Sequence, residues 1–115
     1  MSARVGTKVT WMGHAGHFIC GRDCGFRLAC HVNGFIISTV GELKYGSDSD
    51  DAPMRTLGAS PDSFYETMVF KAVKSNHVCC PFQMESGSEI DGKLYENAED
   101  ATRGHMAFLK KWAAK

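Results

Sequence analysis

Phe26-Arg27-Leu28-Ala29-Cys30-His31-Val32-Asn33-Gly34-Phe35-Ile36-Ile37-Ser38-Thr39-Val40 is the stretch that decides the fold. Two β-rich runs flank Asn33-Gly34. Both central residues of a type I′ turn need positive φ, which Asn and Gly tolerate, so the dipeptide predicts a hairpin. A two-residue loop also fixes register. Val32 is expected opposite Phe35, Cys30 opposite Ile37 and Leu28 opposite Thr39. With Phe26 these residues make an apolar face for a core. The other face carries Arg27, Ala29, His31, Ile36, Ser38 and Val40, a mixture that suits solvent or the lining of a cleft.

Moving outward, residues 63–73 read as a second strand. Phe64, Glu66, Met68 and Phe70 share one face, and Tyr65, Thr67, Val69 and Lys71 the other. Both faces are largely apolar, as in a central strand. At the C-terminus Asn97 is a good N-cap, with Glu99 and Asp100 in the first turn where the helix dipole favours acids. Ala98, Ala101, His105, Phe108, Leu109 and Trp112 then recur at helical spacing, and Lys110, Lys111 and Lys115 follow at the basic end. Glycines punctuate the first 25 residues, leaving a short strand at 9–12. Residues 46–61 read as an exposed, mobile polar loop, 77–80 as a short extended piece, and 86–93 as turns. The expectation is an α+β fold in one domain, residues 1–115. Its small antiparallel sheet includes a 26–32/35–41 hairpin and a 63–73 strand, packed by one C-terminal helix, 98–113.

The chain has 115 residues, 43% hydrophobic and 23% charged. That is enough to bury a core without disulfides or metal. No apolar run is long enough to cross a membrane. The first ten residues carry Arg4 and Lys8 but no apolar signal core, so a cytoplasmic protein is expected. Thirteen basic and thirteen acidic residues balance, which argues against a nucleic-acid partner. The balance is uneven along the chain. Arg4, Lys8, Arg22 and Arg27 face only Asp23 before residue 42, whereas Glu42, Asp48, Asp50, Asp51 and Asp62 outweigh Lys44 and Arg55 in 42–62. A solvated acidic loop explains the second stretch; a basic N-terminal face for an anionic ligand is the alternative. Five cysteines, an odd count without a secretory signal, read as reduced thiols.

Several residues are candidates for chemistry. His14, His17, Cys20 and Cys24 are closely spaced, and His17, Cys20 and Cys24 are the residues a zinc ion would take, with His77, Cys79 or Cys80 completing a tetrahedral set. The spacing fits no standard finger, and Cys30 on the apolar hairpin face behaves as a small hydrophobe. Separate core cysteines and surface histidines, with no cofactor, are the favoured reading. A Cys/His nucleophile needs a thiolate beside an oriented base, and nothing in the spacing brings such a pair together. Glu66 stands on an apolar strand face and must find a partner, because burying a lone carboxylate is costly. An ion pair or hydrogen bond to the C-terminal helix and a ligand-binding role are both open. Gly104 precedes His105 on the helix stripe. Glycine inside a helix costs about 1 kcal/mol relative to alanine, so close packing of the helix on the sheet is expected there. No phosphate loop or dinucleotide fingerprint is present.

Ile37-Ser38-Thr39-Val40, then Phe64-Tyr65-Glu66-Thr67-Met68-Val69-Phe70, then Tyr95, Glu99, Ala101 and Gly104-His105 resemble a family of small phage and prophage proteins. That family has an STV strand, a Tyr-Glu-Thr-Met-Val-Phe strand and an Ala-x-x-Gly-His helix. His17-Phe18-Ile19-Cys20 through Cys24-x-Phe26 looks like one branch of it. The likeness covers roughly 17–45 and 63–112. It implies a phage-linked context, hence a host-cell cytoplasm, and carries over no catalytic residue.

The function expected from these residues is a small non-enzymatic binding protein. Its partner would be a host protein or a small anionic, nucleotide-like ligand. The binding residues would be Arg27, His31, Glu66, Arg103 and His105, where hairpin, second strand and helix meet, with Tyr65 or Trp11 available for stacking. A virion or assembly component, with homo-oligomers, is the structural alternative. A small zinc protein is another, and an enzyme stands last.

Overall fold

Asn33 and Gly34 take φ of 51° and 82° in the computed structural model, as a type I′ turn requires. The structure describes residues 9–11, 23–58, 60–74, 82–85 and 88–115. On either side of the turn run β2 (Cys24–Val32) and β3 (Phe35–Leu43), each longer than the sequence pattern suggested. Val32 lies opposite Phe35, Cys30 opposite Ile37 and Leu28 opposite Thr39, the register the turn dictates. β1 (Val9–Trp11) pairs with β2, and β4 (Tyr65–Lys74) with β3. The far edge of β4 is shared by β5 (Phe82–Met84) and β6 (Asp91–Tyr95), all antiparallel. The helix α1 spans Ala98–Ala113. The fold is thus an antiparallel sheet packed against a single C-terminal helix, an α+β architecture.

α1 begins where the Asn97 side chain accepts from the Asp100 N–H at 2.8 Å. Its buried stripe is Ala101, His105, Leu109 and Ala113. Leu109 and Ala113 pack on Cys30, Val32, Ile37 and Val69, flanked by Phe35, Phe108 and Trp112. Ala101 packs on Tyr65 and Tyr95, beside Phe26 and Phe64. The Tyr65 ring lies over Gly41: a β-carbon there would stand 2.0 Å from Tyr65 Cδ2. A glycine roofed by a cross-strand aromatic keeps the sheet filled where it has no side chain.

The other face of the hairpin meets solvent only in part: Arg27 is exposed and His31 half-buried. Ala29, Ile36, Ser38 and Val40 are buried, because β3 is a central strand with cover on both faces. Cys24, Val40, Leu43 and Leu57 form one cluster with Leu94. Glu42 takes φ of 57°, which breaks the alternation and lets Val40 and Leu43, three apart, join the same cluster.

The segment after β3 is largely exposed, and contacts tie it back to the sheet. Asp48 accepts from Arg55 Nε and Nη2, both at 3.0 Å, and from the Tyr45 N–H. Arg55 also stacks over the Tyr45 ring and bridges to Leu43. Leu57 plugs into the core. Residues 91–93, expected to lie in turns, belong instead to β6, an edge strand among the described residues. Asp-Gly-Lys has little intrinsic β preference, so the pairing with β4 makes this strand. No helix among the described residues is long and apolar enough to cross a membrane.

Candidate functional site

His105 is fully buried between α1 and the sheet. Its Nδ1 lies 2.7 Å from Thr39 Oγ1, and its Nε2 lies 3.2 Å from Cys30 Sγ. Thr39 Oγ1 is 2.6 Å from Thr67 Oγ1, and the Tyr95 hydroxyl donates to Thr67 Oγ1 at 3.0 Å. Five side chains from β2, β3, β4, β6 and α1 thus make one chain of polar contacts under the helix. Because Tyr95 donates to Thr67, every hydroxyl proton finds an acceptor if Thr67 donates to Thr39 and Thr39 to Nδ1. His105 then carries its proton on Nε2, directed at the thiol. A buried network holds its members firmly only when each is satisfied, and this one is.

No spacing rule joins Cys30 to a histidine, yet the fold does so. The pair is nevertheless built for structure. Burial pushes the Cys30 thiol up to about 12 and the His105 imidazole down to about 4. Both groups are neutral near pH 7, whereas a nucleophile needs the thiolate. Trp11 stacks on His105 at 5.8 Å between ring centroids while remaining 57% exposed itself. Tyr95 closes the other end, and its hydroxyl rests against Gly104, where a β-carbon would stand 2.1 Å away. Thr39, Thr67, Tyr95, Ala101, Gly104 and His105 all belong to the motifs that carried the phage-protein resemblance. Here they converge on helix-to-sheet packing.

Outside this network an open groove of about 520 Å³ runs between β6 and α1, lined by Lys93, Tyr95, Glu96, Asp100, Arg103 and Gly104. It continues into a space of about 180 Å³ bounded by Lys93, Gly104, Ala107, Phe108 and Lys111. Arg103 pairs with Glu99 and Asp100 on its own helix. Asp91 accepts from Lys111 at 2.6 Å and from the Trp112 indole at 3.3 Å. Partial burial works to raise the Asp91 carboxyl, but Lys111, the Gly92 N–H and Trp112 outweigh it and hold it below the ordinary carboxylate range.

The residues anticipated as one ligand site are distributed over three places. His105 sits under the helix. Arg27 and Glu66 flank Val40 across the sheet, and His31 lies opposite Ile36, all on the face away from α1. Glu66 therefore does not tie its strand to the helix. Arg103 stands at the groove. His31 is half-buried, and burial lowers its pKa. Of the zinc candidates, His17 and Cys20 lie outside the described residues, as do His77, Cys79 and Cys80. Cys24 is buried in the Val40 cluster, and no group of three potential metal ligands occurs among the described residues. Thr39, Thr67 and Tyr95 were not anticipated as partners of His105. The signal was available: two threonines on apolar strand faces need buried partners. Comparison of the chain with protein-family models, curated proteins and solved structures gives no match.

Proposed function

We propose that this chain is a non-enzymatic binding protein with a phage-linked role, acting in the host cytoplasm on a host protein through the groove between β6 and α1. The groove carries this reading. It is open along a sheet edge, its charges of both signs nearly balance, and its floor is the close Tyr95–Gly104 contact. A nucleotide-like ligand would call for an enclosed, cation-rich site with an accessible ring, but the Tyr95 ring is buried. The neutral Cys30–His105 pair, sealed from solvent, supports binding over catalysis.

A photoreactive residue at Ala107, in the groove, tests the assignment against one at exposed Thr102, which does not line it. Expressed in bacterial host cells, the Ala107 probe is expected to form a discrete protein adduct that the Thr102 probe does not. Identical adduct patterns at both positions would remove the groove as the binding surface.

A further inference from the structure

We propose that the groove takes an extended, acidic segment of the partner protein, which adds to the outer edge of β6 as a further strand. This inference rests on the groove being the binding surface and specifies how it binds.

β6 pairs with β4 on one side, and among the described residues no strand pairs with its other side. A strand added there would lie about 4.8 Å from β6 and would run beneath the outer flank of α1. Gly104 and Ala107 leave that flank open, and the two parts of the groove meet at Lys93, Gly104 and Ala107. Main-chain pairing at a sheet edge supplies affinity, and alternate side chains supply selectivity.

Charge decides the occupant. Along β6, Asp91 reaches Lys111 and Trp112 of α1, and the Tyr95 hydroxyl lies against Gly104. Lys93, midway between, therefore also projects to the helix side. The other two cations of the groove are already engaged, Arg103 by Glu99 and Asp100, and Lys111 by Asp91. Lys93 contacts no carboxylate among the described residues. Its Nζ lies 5.7 Å from the Tyr95 ring centroid. A second copy of this chain, paired antiparallel about the midpoint of β6, would set Lys93 against its own equivalent, and like charges directly opposite are destabilising. Glu96 and Asp100 also line the groove, but neither is paired with Lys93, so a partner strand with a carboxylate at that position meets a lysine whose charge is not already taken.

The probe is a short peptide alternating valine and glutamate, compared with its valine–lysine counterpart and with a version interrupted by proline. Backbone amide shifts of the full chain report where each peptide binds. The glutamate peptide is expected to shift residues 91–95 and 104–111, with the proline-interrupted version inactive and the lysine version roughly five-fold weaker for one cross-strand charge pair. Lys93→Glu is expected to reverse the charge preference. Equal shifts from the extended and proline-interrupted peptides would overturn strand addition while leaving the groove as a binding surface. Absence of shifts at 91–95 while the Ala107 adduct persists would also overturn strand addition alone. Absence of both would overturn the groove reading with it.

Discussion

Cys30 Sγ and His105 Nε2 stand 3.2 Å apart, 75 residues distant in sequence, and both side chains are sealed from solvent. The contact joins the centre of the hairpin to the middle of the C-terminal helix, and its chemistry depends on both groups staying neutral. Burial lowers the His105 pKa from 6.5 to about 4. Between those values the unfolded chain takes up a proton that the native chain refuses. Stability from this group is therefore complete above about pH 6.5 and falls as the pH drops toward 4, by about 3 kcal/mol in all. Urea unfolding across that range should show the slope, and His105→Gln should flatten it. Parallel profiles for the two proteins would contradict a neutral buried histidine.

The thiol makes a complementary prediction. With its pKa raised to about 12, Cys30 should resist alkylation in the native protein at pH 8. Pulse labelling with iodoacetamide, mapped by peptide mass, should modify Cys30 only as denaturant unfolds the chain. Rapid native labelling at this position would mean that the network opens under Trp11.

Thr39 is the link that touches both His105 and Thr67. Thr39→Val keeps the shape and strands a ring nitrogen and a hydroxyl. The expected loss is about 1–3 kcal/mol for buried groups left unsatisfied, with Thr39→Ser retaining most of the stability. Adding Thr67→Val should cost less than its effect alone, because the two hydroxyls act as one unit. Strict additivity, measured by chemical denaturation, would show that the two hydroxyls do not share one network.

Much of this fold was legible because local rules and tertiary packing agree. Asn33-Gly34 specified the turn and the register, and Asn97 with its following acids specified where the helix begins. The β6 strand was not legible, because Asp91-Gly92-Lys93 is extended only by pairing with β4. The site was read less well for a geometrical reason. Hairpin parity separated Arg27 and His31 from Cys30 and Thr39, but it did not say on which face the helix would lie. The helix chose the Cys30–Thr39 face, which carried His105 away from Arg27, His31 and Glu66. The Cys30–His105 contact joins elements far apart in the chain, and no spacing rule reports it.

Gly104 sets a conflict between helix propensity and packing. Alanine in a helix interior is worth about 1 kcal/mol over glycine, but a β-carbon at 104 would stand 2.1 Å from the Tyr95 hydroxyl and 2.3 Å from ring carbons. Gly104→Ala is therefore expected to destabilise by about 1–3 kcal/mol, as overpacking does. In a Tyr95→Leu background the same change should become neutral or stabilising. Thermal unfolding of the four proteins decides the matter. An equal loss in both backgrounds would show that the hydroxyl contact is not the cause.

The loop between β3 and β4 offers two kinds of anchor whose strengths differ. The Asp48–Arg55 pair has good geometry, and Arg55 with the Tyr45 N–H holds the Asp48 carboxyl below its usual range. Arg55 is nevertheless half exposed, with 51% of its side chain accessible, and exposed pairs contribute little because solvent screens them. Leu57 is 8% exposed and packs with Cys24, Val40 and Leu43, so its truncation leaves a cavity. Leu57→Ala is expected to cost about 2–4 kcal/mol, and Arg55→Ala clearly less. If Arg55→Ala proved the more damaging in urea unfolding, polar closure of the loop, and not its apolar plug, would be what fixes it to the sheet.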